Sequence, residues 1–112
     1  MSDCLFCKIA DGTIKTELLA QDDRAVAFRD IRPLAPTHLL VVPRKHIASL
    51  NELTEADEAL VGHLHVMARQ LAAAAGLADG YRTVINTGAH AGQTVFHIHL
   101  HVVGGRPLVW EF

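Results

Sequence analysis

The segment His97-Ile98-His99-Leu100-His101 places three imidazoles at every second position of an apolar run. In an extended strand, residues two apart point to the same face, so we expect the three rings to form one row, with Ile98 and Leu100 on the opposite face. Same-face neighbours are about 6.6 to 6.8 Å apart along a strand, so adjacent rings can act on one substrate group. The pattern predicts a functional row of imidazoles held in place by an apolar face.

Three interpretations suit such a row. A solvated strand face needs only polar side chains, for which histidine is an unusual choice. A metal site explains the residue type, but no nearby carboxylate completes it, since Glu111 is the only acid after Asp79. A nucleophilic site would use the central imidazole, which is largely neutral at neutral pH because its reference pKa is about 6.5. The flanking rings would then hold the tautomer and stabilise a developing phosphoryl charge.

Cys4 and Cys7 form the only CxxC pair of the chain. Two cysteines are too few for a disulfide framework, and their spacing suits a metal or redox site. The pair alone is a weak signal, because a structural zinc ion needs about four ligands. A thioredoxin-like redox site is less favoured, because the strand–CxxC–helix context of that motif is missing.

The rest of the sequence predicts the elements that position these residues. Apolar periodicity predicts one long helix after Thr54, ended by Gly76. A short helix is expected at residues 4–10. Five strands are expected at residues 17–21, 25–31, 38–42, 81–86 and 96–103. This order predicts an α+β fold in which the long helix packs on a mainly antiparallel sheet, without fixing the strand order. The length of 112 residues fits a single domain over residues 1–112.

Charge and hydropathy narrow the function classes. Ten Lys and Arg against twelve Asp and Glu give a net charge of −2, which argues against a nucleic-acid partner or a charged membrane surface. The N-terminus lacks the features of a signal peptide, and no run approaches the roughly 18 apolar residues of a membrane span. We therefore expect a cytoplasmic protein with a small-molecule ligand.

The histidine row resembles the signature of the histidine triad (HIT) family, His-φ-His-φ-His-φ-φ with φ apolar, completed here by Val102-Val103. Further blocks are similar to the Hint branch, the histidine triad nucleotide-binding proteins. In chain order these are Phe28–Ile31, Ala35–His38, Val42–His46, Asn86–Gly88, Gly92–Phe96 and Gly104–Leu108. The resemblance implies the HIT fold, a mainly antiparallel five-stranded sheet with one long and one short helix, continued across a homodimer.

The activity implied by the resemblance is hydrolysis of purine nucleoside 5′-monophosphoramidates, of the AMP-NH2, AMP-lysine or aminoacyl-AMP type. His99 would attack the α-phosphorus and form a nucleotidyl-histidine that water then hydrolyses, while His101 would donate to a phosphoryl oxygen. Gln93 and Thr94 match family positions near the leaving group and the phosphate, although many relatives carry Ser at position 94. No cofactor is required for this chemistry.

The resemblance also implies a purine nucleotide site for AMP or GMP. Asp30 matches the acid that accepts both ribose hydroxyls, a natural role for a carboxylate. The other expected nucleotide contacts are Phe28, Arg29, Ile31, Asn86, Gly92, Gln93, Thr94, His99 and His101. His38 matches a supporting histidine, with a hydrogen-bonded strand end as the alternative. Trp110 matches a tail residue that reaches the partner subunit's site, although this tail ends Trp-Glu-Phe where many relatives end Trp-Pro-Pro-Gly.

In relatives that carry the CxxC pair, zinc is completed by two histidines, which match His46 and His97. The resemblance therefore implies a structural zinc ion bound by Cys4, Cys7, His46 and His97, which leaves His99 free for chemistry. Two reduced cysteines are the alternative.

Two other functions stay open. A related HIT hydrolase would cleave dinucleoside polyphosphates, and a nucleotide-binding regulator would use the same pocket with only incidental turnover.

Overall fold

A computed structural model describes residues 3–111. Five strands form one sheet in the order β1-β2-β3-β5-β4, and every neighbouring pair is antiparallel. The strands are β1 (Ala20–Gln21), β2 (Ala25–Arg29), β3 (Thr37–Pro43), β4 (Tyr81–Val84) and β5 (Leu100–Gly104). The helices are α1 (Leu5–Ala10) and α2 (Glu58–Ala74), and short 3-10 turns occupy Leu50–Glu52, Glu55–Asp57 and Ala89–Ala91. The predicted α+β class, with one long and one short helix, is confirmed.

The sheet is buried on both faces along β3. Leu39 and Val41 belong to the core that α2 covers, whereas Leu40 and Val42 belong to a second core that includes Phe6 of α1. This alternation follows from the strand geometry, since successive side chains point to opposite faces. A continuous apolar run is what a strand covered on both sides requires. The fold thus separates an α2 face from an α1 face.

The long helix ends where the sequence predicts. Gly76 has φ +77°, a left-handed conformation that glycine adopts without steric cost. The N–H of Leu77 bonds to the carbonyl of Ala72 at 2.8 Å, and the N–H of Gly76 to that of Ala73 at 3.1 Å. These two bonds form a Schellman motif, which satisfies carbonyls at the helix end. Neither helix within residues 3–111 is long and apolar enough to cross a membrane.

The last strand is shorter than predicted. Its ladder begins at Leu100, and residues 96–99 precede it as an irregular segment. The N–H of Ile98 bonds to the carbonyl of Ile47 at 2.8 Å, outside the sheet ladder. The two-residue alternation nevertheless persists, since Ile98, Leu100 and Val102 all pack into the α2-face core.

Candidate functional site

The triad histidines lie on the α1 face of the sheet. The Phe6 ring contacts the rings of His97 and His99 edge-on, with centroid separations of 6.1 and 5.0 Å. The ring centroids of His99 and His101 are 4.9 Å apart. His101 pairs in the sheet with Leu40, which also belongs to the α1 face. The expected row of three imidazoles is therefore present, although only its last member lies in a regular strand.

The hydrogen bond of His99 defines which of its nitrogens is available for chemistry. Its Nδ1 lies 2.8 Å from the carbonyl oxygen of His97, which can only accept, so Nδ1 carries the proton. The lone pair of the neutral ring is therefore on Nε2. The residue is 8% exposed, so this ring is held firmly. An imidazole fixed in this way is a nitrogen nucleophile.

His101 has the opposite tautomer to His99. A relay, meaning the chain of hydrogen bonds from the main-chain N–H of Leu34 through His38, sets this tautomer. The N–H of Leu34 donates to Nδ1 of His38 at 3.0 Å, so His38 carries its proton on Nε2. That nitrogen lies 2.9 Å from Nδ1 of His101 and donates to it. His101 therefore carries its own proton on Nε2. Whereas His99 offers a lone pair, His101 offers an N–H.

His101 is neutral near pH 7. Burial of the ring, together with the neighbouring rings of His99 and His38, lowers its pKa to about 4. The carboxylate of Asp30 acts in the opposite direction but does not offset these effects. A neutral N–H donor held in a protein interior is pre-organised to stabilise charge that develops on an oxyanion.

The carboxylate of Asp30 lies at the edge of this relay. Its Oδ2 is 3.4 Å from Nε2 of His38, and its Oδ1 accepts the N–H of Arg32 at 2.8 Å. The main-chain N–H of Asp30 bonds to the carbonyl of His38 at 3.0 Å. These bonds fix the carboxylate immediately after β2, beside the histidines.

A second cluster brings together Cys4, Cys7, His46 and His97, the four residues that the resemblance assigns to a metal. Their ligand atoms all lie within 4.8 Å of one another. Nδ1 of His97 is 3.3 Å from Sγ of Cys4, 3.4 Å from Sγ of Cys7 and 3.2 Å from Nδ1 of His46. Nδ1 of His46 is 3.4 Å from Sγ of Cys7. The cluster joins the start of α1 to the segment before β5.

This donor set fits a tetrahedral metal ion. Bond lengths to zinc of about 2.3 Å for sulfur and 2.0 Å for nitrogen imply ligand–ligand separations of about 3.3 to 3.8 Å. The tautomer of His97 also fits, because its Nε2 donates to the carbonyl of Pro43 at 2.7 Å and leaves the Nδ1 lone pair facing the thiols. Burial lowers the pKa of His97, which keeps the ring neutral as a ligand must be.

Asp30, His38 and His101 also lie within metal-ligating distance of one another. Their hydrogen bonds argue against a metal there. Leu34 occupies Nδ1 of His38 with an N–H, so His38 presents a proton instead of a lone pair toward His101. A metal ion would have to displace that proton, so this group is a hydrogen-bond relay.

Gln93 closes the loop before the triad. It is 3% exposed, and its Oε1 accepts the N–H of Gly88 at 2.8 Å. Its Nε2 donates to the carbonyls of Ala48 at 2.8 Å and Val95 at 3.1 Å. The carboxamide thus ties the loop to the segment that follows His46. Its expected contact with a leaving group stays a prediction, as does that of the exposed Thr94.

The other expected nucleotide contacts occupy different surroundings. Phe28 is buried on the α1 face, with its ring centroid 5.6 Å from that of Phe6. Arg29 is the next residue on β2, so it points to the opposite face, and it forms an exposed ion pair with Glu17 at 2.8 Å. The remaining residues are the exposed Ile31, Gly92 and Trp110 and the half-buried Asn86. Their nucleotide roles stay predictions.

Sequence reasoning missed the groups that set the histidine tautomers. The carbonyls of Pro43 and His97 and the N–H of Leu34 are main-chain groups, and every residue type except proline carries both. No side-chain pattern distinguishes them. Phe6, which packs against two triad rings, could have been found as an aromatic residue between the two cysteines.

Comparison with known proteins finds a family match over most of the chain. The HIT domain family matches residues 11–108. A HIT-like protein from Synechococcus elongatus is 49% identical over 108 residues, which cover 96% of this chain and 95% of that protein.

Solved structures show the same fold. The crystal structure of a HIT family hydrolase from Legionella pneumophila aligns with a TM-score of 0.94 at 50% identity and covers 96% of this chain and 97% of that one. A histidine triad nucleotide-binding protein from Candida albicans aligns with a TM-score of 0.81 at 26% identity, over 98% of this chain and 87% of that one.

Proposed function

Because the chain belongs to the HIT domain family, we propose that it is a hydrolase of purine nucleoside 5′-monophosphoramidates that acts through a covalent nucleotidyl-histidine. The substrates would be of the AMP-NH2, AMP-lysine or aminoacyl-AMP type, with AMP or GMP as product. The names of the Legionella and Candida relatives, a hydrolase and a nucleotide-binding protein, support the reaction class and the ligand class.

In the first step, Nε2 of His99 attacks the α-phosphorus, and the bond between phosphorus and the leaving nitrogen breaks. The leaving nitrogen takes up a proton from solvent and departs as an amine. The modified ring is cationic, and its Nδ1–H stays bonded to the carbonyl of His97, which stabilises that charge. Water then attacks the phosphorus and the bond between phosphorus and Nε2 breaks, which releases the nucleotide, returns one proton to solvent and restores neutral His99.

His101 and Asp30 have different tasks in this scheme. The Nε2–H of His101 donates to a phosphoryl oxygen as negative charge grows there. The carboxylate of Asp30 accepts the ribose hydroxyls, and Phe28 and Ile31 contribute apolar surface for the base.

One observation carries the proposal, namely the opposite hydrogen-bonded states of two neighbouring rings. His99 bonds through a protonated Nδ1 and offers its other nitrogen as a lone pair, whereas His101 accepts at Nδ1 and offers an N–H. A nucleophile and an oxyanion donor whose ring centroids lie 4.9 Å apart suit phosphoryl transfer.

Single-turnover reaction with an AMP phosphoramidate tests the proposal. We expect the wild type to release AMP and to give a protein species with the added mass of AMP, and His99→Ala to do neither. His65→Ala is the matched control, because His65 is exposed on α2 and its ring bonds only to the carbonyl of Val61 among the contacts in residues 3–111. Absence of both adduct and AMP from the wild type would refute the phosphoramidase.

The same assay separates the two rival functions. Faster turnover of a diadenosine polyphosphate than of the phosphoramidate would indicate a dinucleoside polyphosphate hydrolase. Tight AMP binding without any adduct would indicate a regulator.

We also propose that the four-residue cluster binds a structural zinc ion. When bound, the metal would link the N-terminal segment to the segment before β5 and take no part in the phosphoryl transfer. The S2N2 donor set, the spacing of its atoms and the tautomer of His97 support this. Elemental analysis is expected to give about one zinc per wild-type chain and much less for Cys4→Ser. Zinc-free wild type, purified without chelator, would reject the site.

A homodimer is the remaining part of the proposal. Within residues 3–111, β4 is an edge strand with the exposed Tyr81, and the tail residue Trp110 is also exposed. Light scattering coupled to size exclusion is expected to give twice the chain mass. A monomer at micromolar concentration would contradict the dimer without affecting the phosphoramidase.

A further inference from the structure

The relay that sets the state of His101 begins in the loop between β2 and β3. Its first donor is the N–H of Leu34, a residue that is 74% exposed. Side-chain burial therefore cannot hold this peptide in place. Since the donor is a main-chain group, its direction depends on the loop backbone, and a contact that fixes this backbone also fixes the relay.

Arg106 makes such a contact from outside the site. Its Nη2 donates to the carbonyl of Leu34 at 3.1 Å, while its Nη1 donates to the carbonyl of Pro107 at 3.1 Å. Leu34 is thus bonded on both sides, through its carbonyl to Arg106 and through its N–H to His38. The guanidinium suits this role because it presents several N–H donors in one rigid plane.

A second contact holds the same two segments together. Gly105 has φ +98°, and a Cβ added there would lie 2.9 Å from Cβ of Pro36. Thr37 then pairs with Gly104 at the end of the sheet. The residues around Arg106 therefore lie directly against the loop, and a side chain at position 105 would separate them.

We propose that Arg106 is a positioning residue for the reaction proposed above, acting through the backbone of Leu34 and through His38 to keep the proton of His101 on Nε2. Without this contact, the Leu34 N–H can turn away from His38. His38 can then carry its proton on Nδ1 and accept from Nδ1–H of His101, because only the Asp30 carboxylate, 3.4 Å from its Nε2, still favours the original state. His101 in that state presents a lone pair to the phosphoryl oxygen, where the reaction needs a donor.

The charged and titratable groups facing His101 are His99, His38 and Asp30. Arg106 is not among them. Its effect should therefore appear in which nitrogen of His101 carries the proton, with only a small effect on the pH at which the ring becomes charged.

The test is the tautomer of His38 and His101, read from long-range proton–nitrogen NMR correlations of histidine-labelled protein at pH 7.5. The wild type should show both rings protonated on Nε2, and Arg106→Met should show mixed tautomers at both. Arg106→Lys, which retains one donor group, should restore part of the wild-type pattern. Arg82→Met is the matched control, because Arg82 donates to a main-chain carbonyl in the same tail, that of Val109, at 2.6 Å.

The kinetic consequence rests on the proposed function. Loss of one net hydrogen bond predicts a fall of about three- to tenfold in AMP release by Arg106→Met, partly restored in Arg106→Lys. Wild-type tautomers in Arg106→Met would overturn the inference, even if its activity falls. Failure of the wild type to form an adduct would refute the phosphoramidase, while the NMR result would still decide the role of Arg106.

Discussion

Each histidine of the site takes its role from the atom that its ring bonds. His97 donates to a carbonyl through Nε2, His99 donates to a carbonyl through Nδ1, and His38 accepts an N–H at Nδ1. In the proposed scheme, the same type of side chain thereby serves as metal ligand, nucleophile and relay. Residue type and two-residue spacing were enough to predict the row of imidazoles. They could not predict the tautomers, because the bonding partners are main-chain groups brought there by the fold.

The depressed pKa of His101 predicts a loss of stability on acidification. In the unfolded chain the ring binds a proton near pH 6.5, whereas in the folded protein it does so only near pH 4. Between these values the unfolded state holds more protons, so the free energy of unfolding falls as the pH falls from about 6.5 to about 4. Urea denaturation at pH 7.0 and 4.5 measures this change.

His101→Asn isolates the contribution of this residue, because asparagine keeps a polar side chain that does not titrate. The difference in unfolding free energy between the two pH values should be smaller in His101→Asn than in the wild type. His65→Asn, on the exposed side of α2, should behave as the wild type does. Equal acid sensitivity of all three proteins would contradict the prediction.

At the scale of elements, the segment before β5 shows where periodicity succeeds and where it fails. The alternation of imidazole and aliphatic residues correctly predicted two opposite faces over residues 97–102. It did not predict that the ladder begins only at Leu100, because Ile98 bonds to the carbonyl of Ile47, on a segment with no strand pattern. Hydrophobic periodicity reports which face is buried, whereas strand bounds depend on long-range hydrogen bonds.

The loop of residues 88–93 gives an element-scale prediction. Gln93→Glu keeps an acceptor for the N–H of Gly88 but replaces the donor that faces the carbonyls of Ala48 and Val95. Two carbonyls then lose their partner in a buried place, and a carboxylate is desolvated. We expect a loss of about 1 to 3 kcal/mol in unfolding free energy. Chemical denaturation at pH 7.5 measures it.

Gln70→Glu is the control, since Gln70 is exposed on α2 and the same change there should alter stability by less than about 0.5 kcal/mol. A Gln93→Glu protein as stable as Gln70→Glu, but slow in AMP release, would favour a direct contact with the leaving group over the role of holding the loop.

At the scale of the whole molecule, the strand order explains how distant residues form one site. Because β5 lies between β3 and β4, His101 comes beside His38, 63 positions earlier in the chain. Cys4 meets His97 across 93 positions. The sequence predicted the elements but not their order in the sheet, since local patterns do not determine which strands pair. The resemblance to relatives, not the periodicity, assigned the four expected metal ligands to one site.

Cys4 and His97 are 93 positions apart, so a metal ion bound by both would tie together the two ends of the fold. Removal of that ion should therefore lower the stability of the whole molecule. An ion that binds only the folded state stabilises it by about 2.7 kcal/mol when its free concentration is 100-fold above Kd. At roughly 4 °C per kcal/mol, chelation should lower the Tm of the zinc-loaded wild type by about 10 °C. Cys7→Ser removes one ligand, so its Tm should be lower at the start and should change little with chelator. Calorimetry with and without chelator compares the two proteins, and a Tm in the zinc-loaded wild type that chelator leaves unchanged would show that protein contacts alone hold α1 against the triad.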